Sequence, residues 1–353
     1  MNHCAEKAAL SAVSPRGNRG LTGQAGLFRG ARRVSHKRQR GVALITALLV
    51  VSLATVAAVA MVTRLQVDMR RTGNLLNGEQ AYAYAVAAES WAYVILRRDL
   101  KESEYDSLGE DWATALPPIA VEGGFVNGHI EDLQGRFNVN NLVVDEGEPS
   151  DPEAAVNAEQ LAYFKRMLEV LDLEPALAPA LVDWLDADIN TTFPDGAEDD
   201  TYLLADPPYR AANRPLTNIS ELRLIKGYTP EVIALLEPHI TALPEETVIN
   251  VNTATPVVLR AMHKELDDSA VEQLIADRGE DGFSDIDAFL EHDALAGLEL
   301  EIEFDITSDW FNVLTASSVG RGQVQLESLL WRGEGQPQVI SRVRARRLLQ
   351  DPG

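Results

Sequence analysis

Cysteine is all but missing. Cys4 is the only one in 353 residues, so the chain can form no internal disulfide, and its stability must come from packing or from bound ions. Histidine is sparse as well: His3, His36, His129, His239, His263 and His292 lie scattered, with no HExxH pair, no nucleophile elbow and no phosphate-cradling glycine loop. These absences remove the usual zinc and copper sites and the familiar hydrolase and nucleotide-binding arrangements, and the chain reads as non-enzymatic. Basic charge is concentrated at one end. Residues 1–41 hold nine Lys or Arg against Glu6 alone, and subtracting that +8 from the chain's −23 leaves −31 on the remainder. Such a surface repels nucleic acid, which is therefore not an expected partner.

Charge, proline and glycine are all absent from the 22 residues Val42–Thr63. As a helix this run is about 33 Å long, enough to cross a bilayer. Arg32, Arg33, Lys37, Arg38 and Arg40 precede it, so the positive-inside bias leaves the N-terminus in the cytoplasm and everything after Arg64 on the far side. A signal peptide cleaved near Ala57–Ala60 and a plain single-pass anchor are the other readings this run allows. The run is long for a signal peptide, however, and the helical register continues beyond it through Leu65, Val67, Met69, Leu75 and Leu76 into the alanine-rich stretch 81–96. Gly73 and Gly78 are expected to loosen or bend the helix between its halves. A helix over 42–98 would be about 85 Å long, so its second half must pack on a soluble domain.

Strand-like runs follow. Gly124–Asp132 and Arg136–Asn140 flank Leu133-Gln134-Gly135 and read as a hairpin. Near the C-terminus Trp310–Val319, Gln323–Trp331 and Gln338–Arg344 alternate with Gly-rich turns at 320–322 and 333–335. Together these suggest one antiparallel sheet packed on the N-terminal helix. About 160 residues of helical pattern separate the two strand sets, too many for a loop, which implies an inserted α domain. Within it Phe137–Leu142 (FNVNNL) and Ile249–Ala254 (INVNTA) echo each other. Thr229–Pro230 and Thr255–Pro256 each pair an N-cap with proline at the first helical position. The turn 264–269 is acidic rather than Gly- and Lys-rich, which favours a protein-interaction module or a packed spacer over DNA binding. Trp91 and Trp184 are expected in the core, Trp310 and Trp331 on sheet faces.

The richest chemistry lies in 183–202. Asp186 and Asp188 stand at a helix end, and Pro194–Gly196 turns the chain back toward Glu198, Asp199 and Asp200, with Asp195 in the turn. Clustered carboxylates without His or Cys suit a hard cation such as Ca²⁺. The spacing is not that of an EF-hand, and on spacing alone a solvated acidic loop is the stronger reading.

Gly41 ahead of an apolar helix resembles the N-terminus of type IV pilins and pseudopilins. The segments 132–142 (DLQGRFNVNNL) and 181–188 (LVDWLDAD) resemble the general secretion pathway protein K family, the minor pseudopilins K of bacterial type II secretion, and the likeness runs from residue 40 to about 345. The resemblance implies an α+β fold: a pilin-like long N-terminal helix packed on an antiparallel sheet, with a large inserted all-α domain of SAM-like or helix-hairpin-helix units. The expected organisation is a basic leader at 1–41, a transmembrane helix at 42–63, pilin-like helix and first strands at 64–140 and the insert at 141–300, with units at 141–243 and 244–300. The C-terminal strands then occupy 301–347 and a tail 348–353. It further implies cleavage by a prepilin peptidase between Gly41 and Val42. Thr46 stands where pilins carry a glutamate that is thought to pair with the N-terminal amine of the subunit nearer the tip, and lacking it suits a tip subunit in assembly. The implied partners are the I- and J-type minor pseudopilins and the major pseudopilin. The implied metal is structural calcium in the acidic insert, on Asp186, Asp188, Asp195, Glu198, Asp199 and Asp200. The implied location is the inner membrane with the bulk periplasmic. A type IV minor pilin serving adhesion and a membrane-anchored periplasmic enzyme are the alternatives from other classes.

Cleavage after Gly41 is expected to yield a mature chain starting at Val42, read by mass spectrometry of the membrane-extracted protein, and a bulky residue in place of Gly41 should leave the precursor intact. A mature chain starting after Ala57 or Ala60 would contradict this.

Overall fold

The computed structural model describes residues 40–144, 156–333 and 336–345. Residues 1–39, with eight of the 31 Lys and Arg, lie outside these residues. In chain order the elements are α1 (Arg40–Glu102), β1 (Leu116–Val121), β2 (Gly124–Asp132), β3 (Phe137–Asn138), α2 (Ala158–Val170), α3 (Leu177–Leu185), α4 (Asp199–Tyr202), α5 (Pro230–Leu236), β4 (Ile240–Thr241), β5 (Ile249–Asn250), α6 (Pro256–Arg260), α7 (Asp268–Arg278), α8 (Ile286–Leu290), β6 (Phe304–Asp305), β7 (Trp310–Val319), β8 (Gly322–Trp331) and β9 (Gln338–Ala345). Two compact units divide at Leu65 and Gln66.

The first unit contributes only the early turns of α1 to the described residues. Leu44, Ile45, Leu48, Leu53 and Val56 are all exposed. The hydroxyls of Thr46, Ser52, Thr55 and Thr63 each donate to a carbonyl three or four residues back, so this stretch carries no unsatisfied side-chain polar group into an apolar medium. Among the described residues α1 is the one helix long and apolar enough to cross a membrane.

In the second unit α1 runs on through Gly73 and Gly78 without a break, contrary to the expected loosening; i→i−4 bonding continues on both sides, and two isolated glycines cost only about 1 kcal/mol each against alanine. Ala81, Ala85, Glu89, Ala92 and Leu96 form its buried stripe, and the alanines let the helix approach the sheet closely. Trp91 falls about 70° or more outside that stripe and is 44 % exposed, so it is not the core residue expected, whereas Trp184 is buried. Glu89 is charged but sits on the buried face. Arg342 Nε reaches it at 2.6 Å, and Ser328 Oγ also donates to it. Burial opposes its charge, but these donors more than offset the burial and hold the carboxyl below its ordinary range.

The sheet against this stripe is antiparallel in the order β1-β2-β7-β8-β9. The three C-terminal strands are where alternation places them. The expected hairpin between 124–132 and 136–140 is not formed: β2 pairs with β7 on one side and β1 on the other. The segment after β2 is drawn away because its carboxamides are engaged elsewhere. Asn138 accepts from Leu243 N and donates to Glu245 O, Asn140 donates to Leu216 O and Leu243 O, and Asn141 exchanges two bonds with Thr247. Strand β1 escapes the sequence pattern because Pro117 and Pro118 interrupt it, which only an edge strand tolerates.

The insert explains the sequence echo. Each copy of the motif begins a module that a short parallel strand pair closes, β3 with β4 in the first and β5 with β6 in the second. The helices start as expected, with Thr229 and Thr255 capping α5 and α6 ahead of their prolines. One large apolar cluster fills the region, including Phe137 stacked on Tyr163 and Phe164.

Chain exit and return are tied at one place. Gln134 accepts through its backbone from Asn250 N, and its side chain accepts from Asp309 N at 2.7 Å. Buried Asp132 accepts from Ser308 Oγ at 2.7 Å, Asn250 Nδ2 at 3.2 Å and Thr253 Oγ1. Ser308 N in turn donates to Asp106, which pairs with Arg332 at 2.6 Å, while Arg332 also reaches Asp99 at 2.7 Å and lies 4.7 Å over the Phe311 ring. Burial raises Asp106 to about 7 against the opposing Arg332, and burial with the nearby Glu110 raises Asp99 to about 6.

Arg332→Met should therefore lower stability by about 3–5 kcal/mol near neutral pH, because the buried Asp106 and the partly buried Asp99 lose the arginine that both pair with. Both carboxyls lie above their ordinary value in the fold, so the folded state holds their protons more tightly; their contribution to stability is complete below about 4 and lost as pH rises through about 7. The gap between variant and parent should accordingly shrink as pH falls to about 5. Denaturant titrations at both pH values check this; an unchanged gap would contradict it.

Candidate metal centre

Helix α3 is apolar on nearly all sides, and its last turn carries the acids. Asp183 is fully buried and accepts from Thr192 N at 3.0 Å and Ala197 N at 2.6 Å. One carboxylate thus shapes the whole following loop. Gly196 is required there, since a Cβ would lie 2.2 Å from Asp183 Oδ2 and 2.5 Å from the Thr192 carbonyl. Asp186 ends the helix with extended backbone. The loop then returns Glu198 to it just ahead of α4.

Asp186, Asp188 and Glu198 each present a carboxylate oxygen within 4.8 Å of the others. Asp186 is 3 % and Glu198 2 % exposed, yet Asp186 Oδ1 and both oxygens of Glu198 have no hydrogen-bond partner. Buried acceptors without donors are rare, because each forfeits its hydration. Burial first, then the charges of Asp188 and Asp183, raises Asp186 to about 7; burial first, then Asp186 and Asp183, raises Glu198 to about 7. Lys226 is the nearby cation, but its ammonium donates to the Gly196 carbonyl at 3.3 Å rather than to these acids. Asp188 accepts from Asn190 N at 2.5 Å, but no Lys or Arg among the described residues pairs with any of the three acids, and such a convergence of hard oxygens fits a hard divalent cation. Asn213 braces the far side by donating to the Asp188 carbonyl.

The other three candidates point elsewhere. Asp199 is engaged by Arg210 at 3.0 Å and by Ala211 N at 3.1 Å. Asp195 and Asp200 are exposed, the latter accepting weakly from Thr201 Oγ1 at 3.4 Å. Asp183 was not among the candidates, although its place three residues before Asp186 puts both on one helix face. A second acidic group, Asp99, Asp106 and Glu110, is equally compact, but Arg332 already neutralises it, and Glu110 accepts from Ser107 N and Trp112 Nε1. At the other end of the chain Gly41, Val42 and Thr46 lie in the first turns of α1, exposed, with the Thr46 hydroxyl satisfied within its own helix.

Comparison with known proteins gives a consistent answer. Two family models described as type II secretion system protein K match residues 135–245 and 249–318, one for each closed module of the insert. A type II secretion system protein K of Pseudomonas aeruginosa is 38 % identical over 317 residues, covering 86 % of this chain and 92 % of the relative. That of Aeromonas hydrophila is 32 % identical, covering 87 % and 97 %. Among solved structures, a chain of the GspK-GspI-GspJ complex from the type 2 secretion system of enterotoxigenic Escherichia coli superposes with a TM-score of 0.69 at 26 % identity, covering 78 % of this chain and all of that one.

Asp183→Ala leaves the Thr192 and Ala197 amides without their acceptor, and a stability loss of about 2 kcal/mol is expected in thermal or denaturant unfolding. Asp200→Ala, on the exposed side of the same loop, should change stability by less than about 0.5 kcal/mol. Equal losses would contradict the assigned role of Asp183.

Proposed function

Since this chain belongs to the type II secretion system protein K family, we propose that it acts at the tip of the pseudopilus, in complex with the I- and J-type minor pseudopilins, and there starts and caps assembly on the major pseudopilin. The solved relative assembles with GspI and GspJ. The observation that carries the tip position is Thr46. A shaft subunit that buries a glutamate in the apolar helix bundle needs a neighbouring amine above it, because an unpaired charge there is expensive. Thr46 satisfies its own hydroxyl within the helix and makes no such demand. The wide helical insert suits a subunit above which nothing stacks.

The same reading puts residues 42–63 of α1 in the inner membrane before assembly, with Arg64 and all that follows in the periplasm, and makes prepilin peptidase the enzyme that frees Val42. It assigns calcium to the carboxylate cluster, on Asp186, Asp188 and Glu198, with backbone carbonyls and water completing the shell. Calcium suits this site better than magnesium because it accepts six to eight oxygens in irregular geometry, whereas magnesium demands a near-ideal octahedron. Asp195, Asp199 and Asp200 belong to the surrounding acidic field, which draws the ion in.

Full-length protein co-expressed with I- and J-type partners should purify as a three-component complex. Calcium should raise the melting temperature, with a gain of about 2.7 kcal/mol at a hundredfold excess over Kd. EGTA should reverse this, magnesium should substitute poorly, and Asp186→Asn or Glu198→Gln should remove the response. Binding should tighten as pH rises, because the carboxyls must shed protons to ligate. A complex that never forms would overturn the assembly reading, and a calcium response that survives both substitutions would overturn the site.

A further inference from the structure

One cleft is basic on a chain whose bulk is acidic. It measures about 500 Å³ and is lined by Arg70, Gly73, Asn74 and Asn77 of α1 and by Gly320 and Arg321 of the β7–β8 turn. The helix side is built by spacing. Gln66, Arg70, Gly73, Asn74 and Asn77 recur at i, i+4, i+7, i+8 and i+11 and so share one face, while Asp68 and Glu79 fall on the opposite face. The turn is fixed against that face. Gly320 has φ +54°, a Cβ there would meet Asn77 Nδ2 at 2.5 Å, and a Cβ on Gly322 would meet the Asn77 carbonyl carbon at 2.6 Å. Arg70 and Arg321 are exposed and form no ion pair among the described residues. Arg70, Arg321, Asn74 and Asn77 thus line one concave surface beside Gly73 and Gly320, a donor set suited to an oxyanion.

The nature of the anion follows from position along the chain. Arg70 comes seven residues after Thr63, the end of the uncharged run, which is about 10 Å of helical rise and just beyond the headgroup layer of a bilayer. A long arginine stem bridges the remainder by reaching back toward the interface. Arg64, Arg70 and Arg71 all lie on the exported side under the orientation proposed above, on which this inference rests. Basic residues so close to a span run against the positive-inside bias on that side, and a local anionic ligand accounts for their presence.

We propose that the Arg70–Arg321 cleft binds the phosphate headgroup of an anionic phospholipid, tethering the folded head to the membrane surface before the subunit enters the pseudopilus. The test uses full-length protein in nonionic detergent, titrated with short-chain phosphatidylglycerol, phosphatidylcholine or inorganic phosphate, with bound molecules counted by native mass spectrometry. Phosphatidylglycerol should be retained in preference to phosphatidylcholine. Arg70→Gln or Arg321→Gln alone should weaken retention about fivefold, and the double variant should abolish it with the melting temperature unchanged. Equal retention of phosphatidylcholine, or undiminished retention by the double variant, would overturn the proposal. Inorganic phosphate binding as tightly as the lipid would assign the cleft to a free anion instead. A double variant that keeps its lipid but no longer co-purifies with the I- and J-type partners would give the cleft to a protein. Lipid retention is read on the isolated chain, so its failure is distinct from a failure of assembly.

Discussion

The pairing of β2 with β7 is the constraint on which the rest of the second unit depends. Asp132 stands opposite Phe311 and Gly124 opposite Val319, so the chain leaves the sheet after Asp132 and returns to it at Trp310, at one point. Closing so long a loop costs conformational entropy before any sheet contact forms. The insert meets that cost in stages. Each of its two modules closes on itself through a short parallel strand pair, so the chain comes back close to where it left. Leu133 N then donates to Trp310 O at 2.9 Å and extends the β2–β7 ladder by one bond.

A polar junction locks this exit point. Asp132, Gln134, Asn250, Ser308, Asp106 and Arg332 form one connected network between the helix–sheet layer and the insert. Buried networks of this kind stabilise only when every member is satisfied, since a broken link leaves a desolvated group behind. Here most links are closed: Asp132 has three side-chain donors, and the guanidinium of Arg332 has two carboxylates and a carbonyl, while its buried Nε has no partner. The contrast with Asp186 and Glu198 is informative. In the junction the acids have donors and an arginine. In the loop after α3 Asp186 and Glu198 are as deeply buried, with three carboxylate oxygens unpartnered and no arginine paired to them among the described residues, which is why the loop and not the junction reads as a metal site.

Much of this was legible in the sequence where a pattern was local. The apolar run 42–63, the Thr-Pro helix starts and the three C-terminal strands each follow from a few neighbouring residues. What was not legible depended on distant partners. Glu89 interrupts an apolar helix face, and only Arg342 and Ser328 explain it. Arg136–Asn140 has good alternation, yet its asparagines bond to residues near 216 and 243–247, so it cannot pair with β2. In the acidic stretch, composition identified the region but not the ligands. Asp199, next to the buried Glu198, instead faces Arg210 and Ala211 N, and Asp183 became visible only through the amides of Thr192 and Ala197.

If the junction makes sheet and insert one cooperative unit, native-state hydrogen exchange measures it directly. Amides of the β2–β7 ladder and of the β5–β6 pair should then share one opening free energy and fall together as denaturant is added. Insert amides that keep their protection after the sheet amides have exchanged would contradict the account.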